Sequence, residues 1–140
     1  MLLGKYTHSL DAKNRLVIPS RLAEELDGKI TIAPSVTNRC ILLYGEEEWR
    51  QYYNKINSLP RSQIEDLARY LFSNAMQVTP DAQNRIAVPQ DMLDYAGIKK
   101  NLITAGVGDF CEIWAQEVYE EEHIGAKPAN TLERLKALGL

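Results

Sequence analysis

The sequence predicts an α+β protein with an internal pseudo-two-fold, and three observations carry that prediction. LDAKNRLVIP at Leu10–Pro19 returns as PDAQNRIAVP at Pro80–Pro89, seventy positions on. Short runs that suit strands flank each copy, and each is followed by a short segment that suits a helix. Beyond the motif the offset becomes seventy-one, where Lys29 meets Lys100, Ile32 meets Ile103, Val36 meets Val107, Cys40 meets Cys111 and Glu46 meets Glu117. A tandem duplication follows, with repeats at 5–47 and 76–119, a helical spacer at 48–75 and a helical tail at 120–140. Two copies are too few for a solenoid, so a compact pseudo-symmetric domain is expected.

Each repeat reads the same way along the chain. KYTHSL and NAMQVT lead into the motif as strands, and RLVIP and RIAVP lead out. The residues between carry Asp and Asn, which tolerate tight turns and positive φ, so a β-hairpin or a strand-turn-strand corner is expected. Pro19 and Pro89 stop the strand and suit the first helical position. SRLAEEL then ends at Asp27-Gly28, and QDMLDYA ends at Gly97. KITIA and NLITAGV, then CILLY and CEIWA, complete about four strands per repeat.

The spacer spaces Trp49, Tyr52, Tyr53, Ile56 and Leu59 as one helical face, and RSQIEDLARYLF repeats the pattern with Ser62 and Glu65 as a capping box. These aromatics read as a helix packed on the sheet rather than as stacking groups for a ligand. Leu132, Leu135 and Leu138 line one side of a last helix, free to dock on its own domain or on a neighbouring subunit.

Composition excludes several classes. With 45% hydrophobic and 25% charged residues the chain is globular in type. The opening MLLGKYTH lacks the apolar run of a signal peptide and no stretch is long enough to span a bilayer, so a cytoplasmic protein with no membrane association is expected. The two cysteines, without CxxC or a histidine at ligand spacing, read as buried structural thiols in paired strands, and no metal or cofactor is expected. The net charge of −3 divides unevenly: residues 1–70 carry ten Lys/Arg against nine Asp/Glu, and residues 71–140 carry six against ten. A nucleic-acid binder with this balance must gather its basic groups on one face.

Catalysis finds no support, because GxSxG, a Cys/His pair, a phosphate loop and a His/carboxylate cluster are all lacking. Asp11 and Asp81 each have an arginine four residues on, which lowers a carboxyl pKa, the wrong direction for a general acid. A turn flanked by strands can instead present an arginine rigidly. The guanidinium fork suits phosphate oxygens and the O6/N7 edge of guanine, and a two-stranded ribbon is narrow enough for the major groove. The plainer alternative is an Asp–Arg pair that only stiffens its turn. Duplication of the turn, with Lys5, His8, Lys13 and Arg21 near the first copy, favours the presenting role.

DAKNRLVIPSRL and DAQNRIAVPQDM resemble the paired Asp-x-x-x-Arg signatures of the MraZ family, and GKYTHSLDAKNRLVIP and CILLYGEEEW fit as well. The resemblance implies a duplicated AbrB/SpoVT-like swapped-hairpin β-barrel with flanking helices. It also implies a transcriptional regulator that binds double-stranded DNA at direct repeats in its own promoter, within the division and cell-wall gene cluster, and is nucleoid-associated. It implies a ring-shaped homo-oligomer and no small-molecule substrate. Carried onto this sequence, Asp11 and Asp81 orient the motif, and Lys13, Asn14, Arg15, Asn84 and Arg85 contact DNA. Gln83 in place of Lys13, with Asp91 and Asp94 after Pro89 where the first copy has Arg21, predicts a weaker phosphate grip for the second turn. A ring would multiply a weakly basic face into a strong one. An oligomeric protein-binding scaffold or antitoxin-like module is the alternative, less favoured because the chain lacks a disordered tail to wrap a toxin.

Overall fold

A computed structural model describes residues 1–140 and contains eight strands and six helices. The strands are β1 (Lys5–Ser9), β2 (Arg15–Val17), β3 (Ile30–Pro34), β4 (Ile41–Gly45), β5 (Met76–Val78), β6 (Arg85–Ala87), β7 (Asn101–Gly106) and β8 (Phe110–Ala115). The helices are α1 (Ser20–Leu26), α2 (Glu46–Asn57), α3 (Arg61–Ser73), α4 (Gln90–Ala96), α5 (Gln116–Glu121) and α6 (Thr131–Ala137). Both repeats therefore contain the predicted strand-turn-strand, short helix and strand pair. No helix is long and apolar enough to cross a membrane.

Pairing crosses between the repeats. Six strands form an antiparallel sheet in the order β1-β7-β8-β4-β3-β5, and β2 and β6 form a separate two-stranded ribbon. Edge strand β1 of the first repeat pairs with β7 of the second, and β5 of the second pairs with β3 of the first. Of the two forms allowed for the motif, the corner is the one adopted, because β1 and β2 pair with different strands. The expected barrel is not closed: β1 and β5 remain edges, and the three-residue ribbon, ending at Pro19 and Pro89, is too short to bridge them.

The ribbon is held by its buried side. Leu16 and Ile86, each 1% exposed, face one another across the ribbon and enter a core with Leu22 and Leu26 of α1 and Met92, Leu93 and Ala96 of α4. The inner side of the sheet completes this core with Ile30, Ile32, Ile41, Leu43, Leu102 and Ile113. Full burial contributes about 1.5–3 kcal/mol per large aliphatic side chain, so the ribbon is fixed firmly against the sheet. On the outer side, Trp49 and Tyr52 of α2 lie 5.4 and 6.1 Å from Tyr44 of β4, and Phe72 of α3 lies 6.1 Å from Trp49. Trp49 and Tyr52 thus pack on the sheet as expected, whereas Tyr53 and Leu59 of the expected face are exposed, and Leu59 lies beyond the end of α2.

Register corrects the second half of the sequence alignment. Ile30 lies opposite Val78 and Leu102 opposite His8, so Ile30 and Leu102 are counterparts, seventy-two positions apart. Gly45 and Ala115 each end a strand and cap the next helix, seventy positions apart. A constant offset of seventy-one sends every strand residue to the opposite face, because side chains alternate with period two. Cys40 and Cys111 are accordingly not counterparts. Both are buried as expected, but Cys111 belongs to the main core and Cys40 to a smaller cluster with Ile103, Trp114 and Tyr119.

The helix ends differ in detail from expectation. Pro19 and Pro89 are the N-cap residues, one position before the first turn, and their carbonyls accept from the N–H groups of Ala23 and Leu93. The Ser62/Glu65 capping box does not form, because α3 already begins at Arg61 after Pro60; Glu65 instead pairs with Arg69 at 3.3 Å. The C-termini of α1 and α4 close as expected, through left-handed Asp27 (φ 42°) and Gly97 (φ 68°). The leucines of α6 do not dock on their own domain: Leu132, Leu135 and Leu138 are 61%, 40% and 75% exposed.

Candidate nucleic-acid interface

Each motif turn is built around its aspartate. Asp11 Oδ1 accepts the N–H groups of Lys13 and Arg15 at 2.8 and 2.9 Å, and Oδ2 accepts Arg15 Nε at 2.8 Å. Asp81 does the same with Gln83 and Arg85, at 2.9, 2.9 and 2.8 Å. The backbone closes each turn through the Asp11 N–H to the Arg15 carbonyl and the Asp81 N–H to the Arg85 carbonyl. Asn14 (φ 57°) and Asn84 (φ 59°) take the left-handed residue that such a turn requires, which Asn tolerates better than most side chains.

These bonds tune the carboxylates as well. The Arg15 N–H is the main influence lowering the Asp11 carboxyl pKa; partial desolvation opposes it, and the Lys13 N–H and the Arg15 guanidinium lower it further. Asp81 is lowered in the same direction, led by the Arg85 N–H. Both stay ionised near neutrality and act as braces, not proton donors.

The ribbon brings the two turns together. Arg15 lies opposite Ala87 and Arg85 opposite Val17, so these four residues share the outward side while Leu16 and Ile86 point inward. Each guanidinium spends only Nε on its aspartate. The terminal amino groups make no hydrogen bond within the chain, and the arginine side chains are 28% and 29% exposed. Braced in this way, each arginine presents two free amino groups in a fixed plane.

The strand exchange also crosses the helices over. Val88 N–H donates to the Asn14 carbonyl and Ile18 N–H to the Asn84 carbonyl, at 3.0 and 2.8 Å. Consequently α4 starts beside the first turn, where Gln90 Oε1 accepts Asn14 Nδ2 at 3.0 Å, and α1, whose second residue is Arg21, starts beside the second. The sequence reading attached Asp91 and Asp94 to the second turn and Arg21 to the first, and the topology reverses that reason for a weaker second turn. Lys13 against Gln83 is the charge difference that remains on the turns themselves.

Two residues expected near the first turn lie elsewhere. His8 Nε2 is 2.8 Å from Thr104 Oγ1 on β7, and burial lowers its pKa. Lys5 Nζ sits 5.7 Å from the centroid of the Tyr119 ring on α5. The buried thiols offer no reactive alternative, since desolvation pushes Cys40 and Cys111 up to about 12. Sequence reasoning missed Val17 and Ala87 as part of the outward face, although alternation from Arg15 and Arg85 would have found them. It also missed the Asn14–Gln90 contact, for which a single chain gives no signal because the partners are seventy-six positions apart.

Comparison with known proteins places the sequence among named relatives. The family described as "MraZ protein, putative antitoxin-like" matches residues 1–69 and 71–131. A protein of Syntrophomonas wolfei named Transcriptional regulator MraZ is 36% identical over the whole of both chains. Proteins of the same name from Clostridium tetani and Clostridium botulinum are 37% and 40% identical, over 86% and 84% of this chain and 86% and 83% of their own.

Proposed function

Because this chain belongs to the MraZ family, we propose that it is a transcriptional regulator that applies the outward side of the β2–β6 ribbon to double-stranded DNA. The observation that carries the reading is the pair of aspartate-braced arginines, Arg15 and Arg85, on one side of a narrow ribbon with their terminal amino groups free. Bidentate donation to guanine O6 and N7 suits that fork, and Val17 and Ala87 between them suit thymine methyl groups. Lys13, Asn14 and Asn84 stand on the same two turns and complete the contact surface, while Asp11 and Asp81 orient it. No enzymatic step is invoked, in keeping with the regulators the chain resembles.

The finer reading follows the family resemblance: the division and cell-wall gene cluster as target, direct repeats in the chain's own promoter, and a nucleoid-associated ring of identical subunits. In it, 5–47 and 76–119 are two AbrB/SpoVT-like units whose strands pair across one another in the six-stranded sheet and in the β2–β6 ribbon, joined by the 48–75 helices and followed by the 120–140 tail. A net charge of −3 leaves one subunit little long-range attraction for a duplex, so several ribbons must act together.

Gel-shift titration on DNA from upstream of the gene, against scrambled DNA, tests the reading. Specific retention that strengthens with box number, and weakens when box spacing changes by half a helical turn, is expected, with sedimentation reporting the subunit count. Equal binding of scrambled DNA would remove specific regulation. Tight binding of one box by a monomer would remove the need for assembly.

A further inference from the structure

The two turns share a backbone but offer a ligand different chemistry. The residue after each Asp-Ala is rooted identically, since its N–H is held by the aspartate Oδ1 at 2.8 Å for Lys13 and 2.9 Å for Gln83. Both side chains are exposed and neither bonds within the chain. Lys13 carries donors only and a charge, which suits phosphate. Gln83 carries an amide NH2 donor and a carbonyl acceptor in one plane, which complements N7 and the N6 amino group of adenine.

The neighbouring asparagines reinforce the difference. Asn14 Nδ2 is tied to Gln90 Oε1, and Gln90 Nε2 in turn donates to Asp94 Oδ1 at 2.9 Å. On the other turn Ser20 stands where Gln90 would be, its short hydroxyl makes no bond to Asn84, and both ends of the Asn84 amide stay free. One turn therefore presents a cation beside a tethered amide, and the other presents two free neutral amides.

Resting on the proposed DNA-binding role, we infer that Gln83 is a specificity-determining residue that reads an adenine, while Lys13 holds backbone phosphate. The turns stand at opposite ends of the ribbon. Asn14 and Asn84 are about four residues apart along it, or about 13 Å at 3.3 Å per residue. Lys13 and Gln83 each stand one residue beyond these asparagines, so the adenine under Gln83 lies about four to six base pairs from the contacts of Lys13, at about 3.4 Å per step.

The experiment uses the full chain and a randomised duplex library, comparing wild type with Gln83→Ala and Lys13→Gln after thermal unfolding has shown that both variants fold. In wild type one adenine position in each selected box should be preferred about 5- to 150-fold. Gln83→Ala should lose that preference and keep its salt dependence. Lys13→Gln should keep the preference and lower the slope of log affinity against log salt by about one for each subunit engaged. Replacing that adenine with 7-deazaadenine removes the N7 acceptor, and should weaken wild type but not Gln83→Ala. A selective wild type whose base preferences survive Gln83→Ala, or equal sensitivity of both proteins to 7-deazaadenine, overturns the role of Gln83 alone. A wild type with no base preference at any position removes the proposed function, and this assignment with it.

Discussion

The two braced turns and the two helical covers have diverged to very different extents. The three aspartate bonds of one turn recur in the other within 0.1 Å. The covers share little: α2 and α3 span twelve and thirteen residues and carry a web of aromatic rings, whereas on the other side α5 spans six and α6, seven residues long, buries no residue. The turn requires specific atoms, a carboxylate with two acceptor oxygens, a left-handed residue and a guanidinium, so few sequences build it. Covering the outside of a sheet requires only apolar area, which many sequences supply. The difference marks the ribbon as the part whose geometry must be kept twice.

Breaking that symmetry from beneath gives the largest expected effect. Leu16→Ala and Ile86→Ala remove equivalent, fully buried anchors of the ribbon. Each should cost about 2–5 kcal/mol in urea unfolding, by the transfer and cavity effects together. Values that agree within about 1 kcal/mol support equal anchoring of the two turns. If one substitution proves nearly harmless, only one side of the ribbon is held by the core.

Next in size is the outward face. Arg15→Ala and Arg85→Ala should each weaken specific DNA binding by about 1–3 kcal/mol while the protein stays folded. Comparable losses are expected, because each arginine is braced through Nε alone and both share one side of the ribbon. Wild-type affinity in either variant would assign reading to a single turn and reduce the other Asp–Arg pair to turn stiffening.

How much of this was legible in the sequence depended on range. The turns could be read because their determinants lie within five residues: Asp for the N–H groups, Asn for positive φ, Arg for the pair. Helix ends at Asp27 and Gly97 were local too. Strand partners were not, since alternation reveals which side of a strand is buried but not which strand lies beside it, and β2 finds β6 seventy positions away. The single offset of seventy-one failed for a related reason. Unequal loops before β7 and inside the β7–β8 hairpin compensate to preserve facing, and the identity of Cys40 with Cys111 concealed this. The exchange of helix starts between turns, and with it the true neighbours of Asn14 and Asn84, was hidden for as long as the pairing was.

A smaller effect tests whether the turns respond alike to acid. Both aspartates have pKa values lowered from 3.8 in the folded state, led by the N–H of the arginine four residues on. A depressed carboxyl contributes stability that is complete above its unfolded pKa and disappears as pH falls through its folded pKa. Asp11→Asn and Asp81→Asn should therefore be less stable than wild type near neutrality, and each difference should shrink below about pH 4. Melting temperatures across pH 2–7 measure it. A difference that persists unchanged at pH 2 would mean the loss comes from altered turn geometry and not from the charge.

The smallest effect belongs to the undocked tail helix α6. Leu132 and Leu135 of α6 are already 61% and 40% exposed, so truncating them removes little buried area. Alanine is also the better helix former, which offsets part of any loss. Leu132→Ala and Leu135→Ala should each change unfolding free energy by no more than about 0.5 kcal/mol. Trp49→Ala on α2 provides the contrast: it loses ring contacts with Tyr44, Tyr52 and Phe72 at 5.4, 5.6 and 6.1 Å. At about 0.5 kcal/mol or more for each aromatic pair, beyond area burial, that loss should exceed about 1.5 kcal/mol. Urea titration of the three variants at one protein concentration makes the comparison. A cost for the α6 leucines as large as that for Trp49 would mean that the tail is covered in solution, and that the two covers differ in where they find their partner rather than in how much surface they bury.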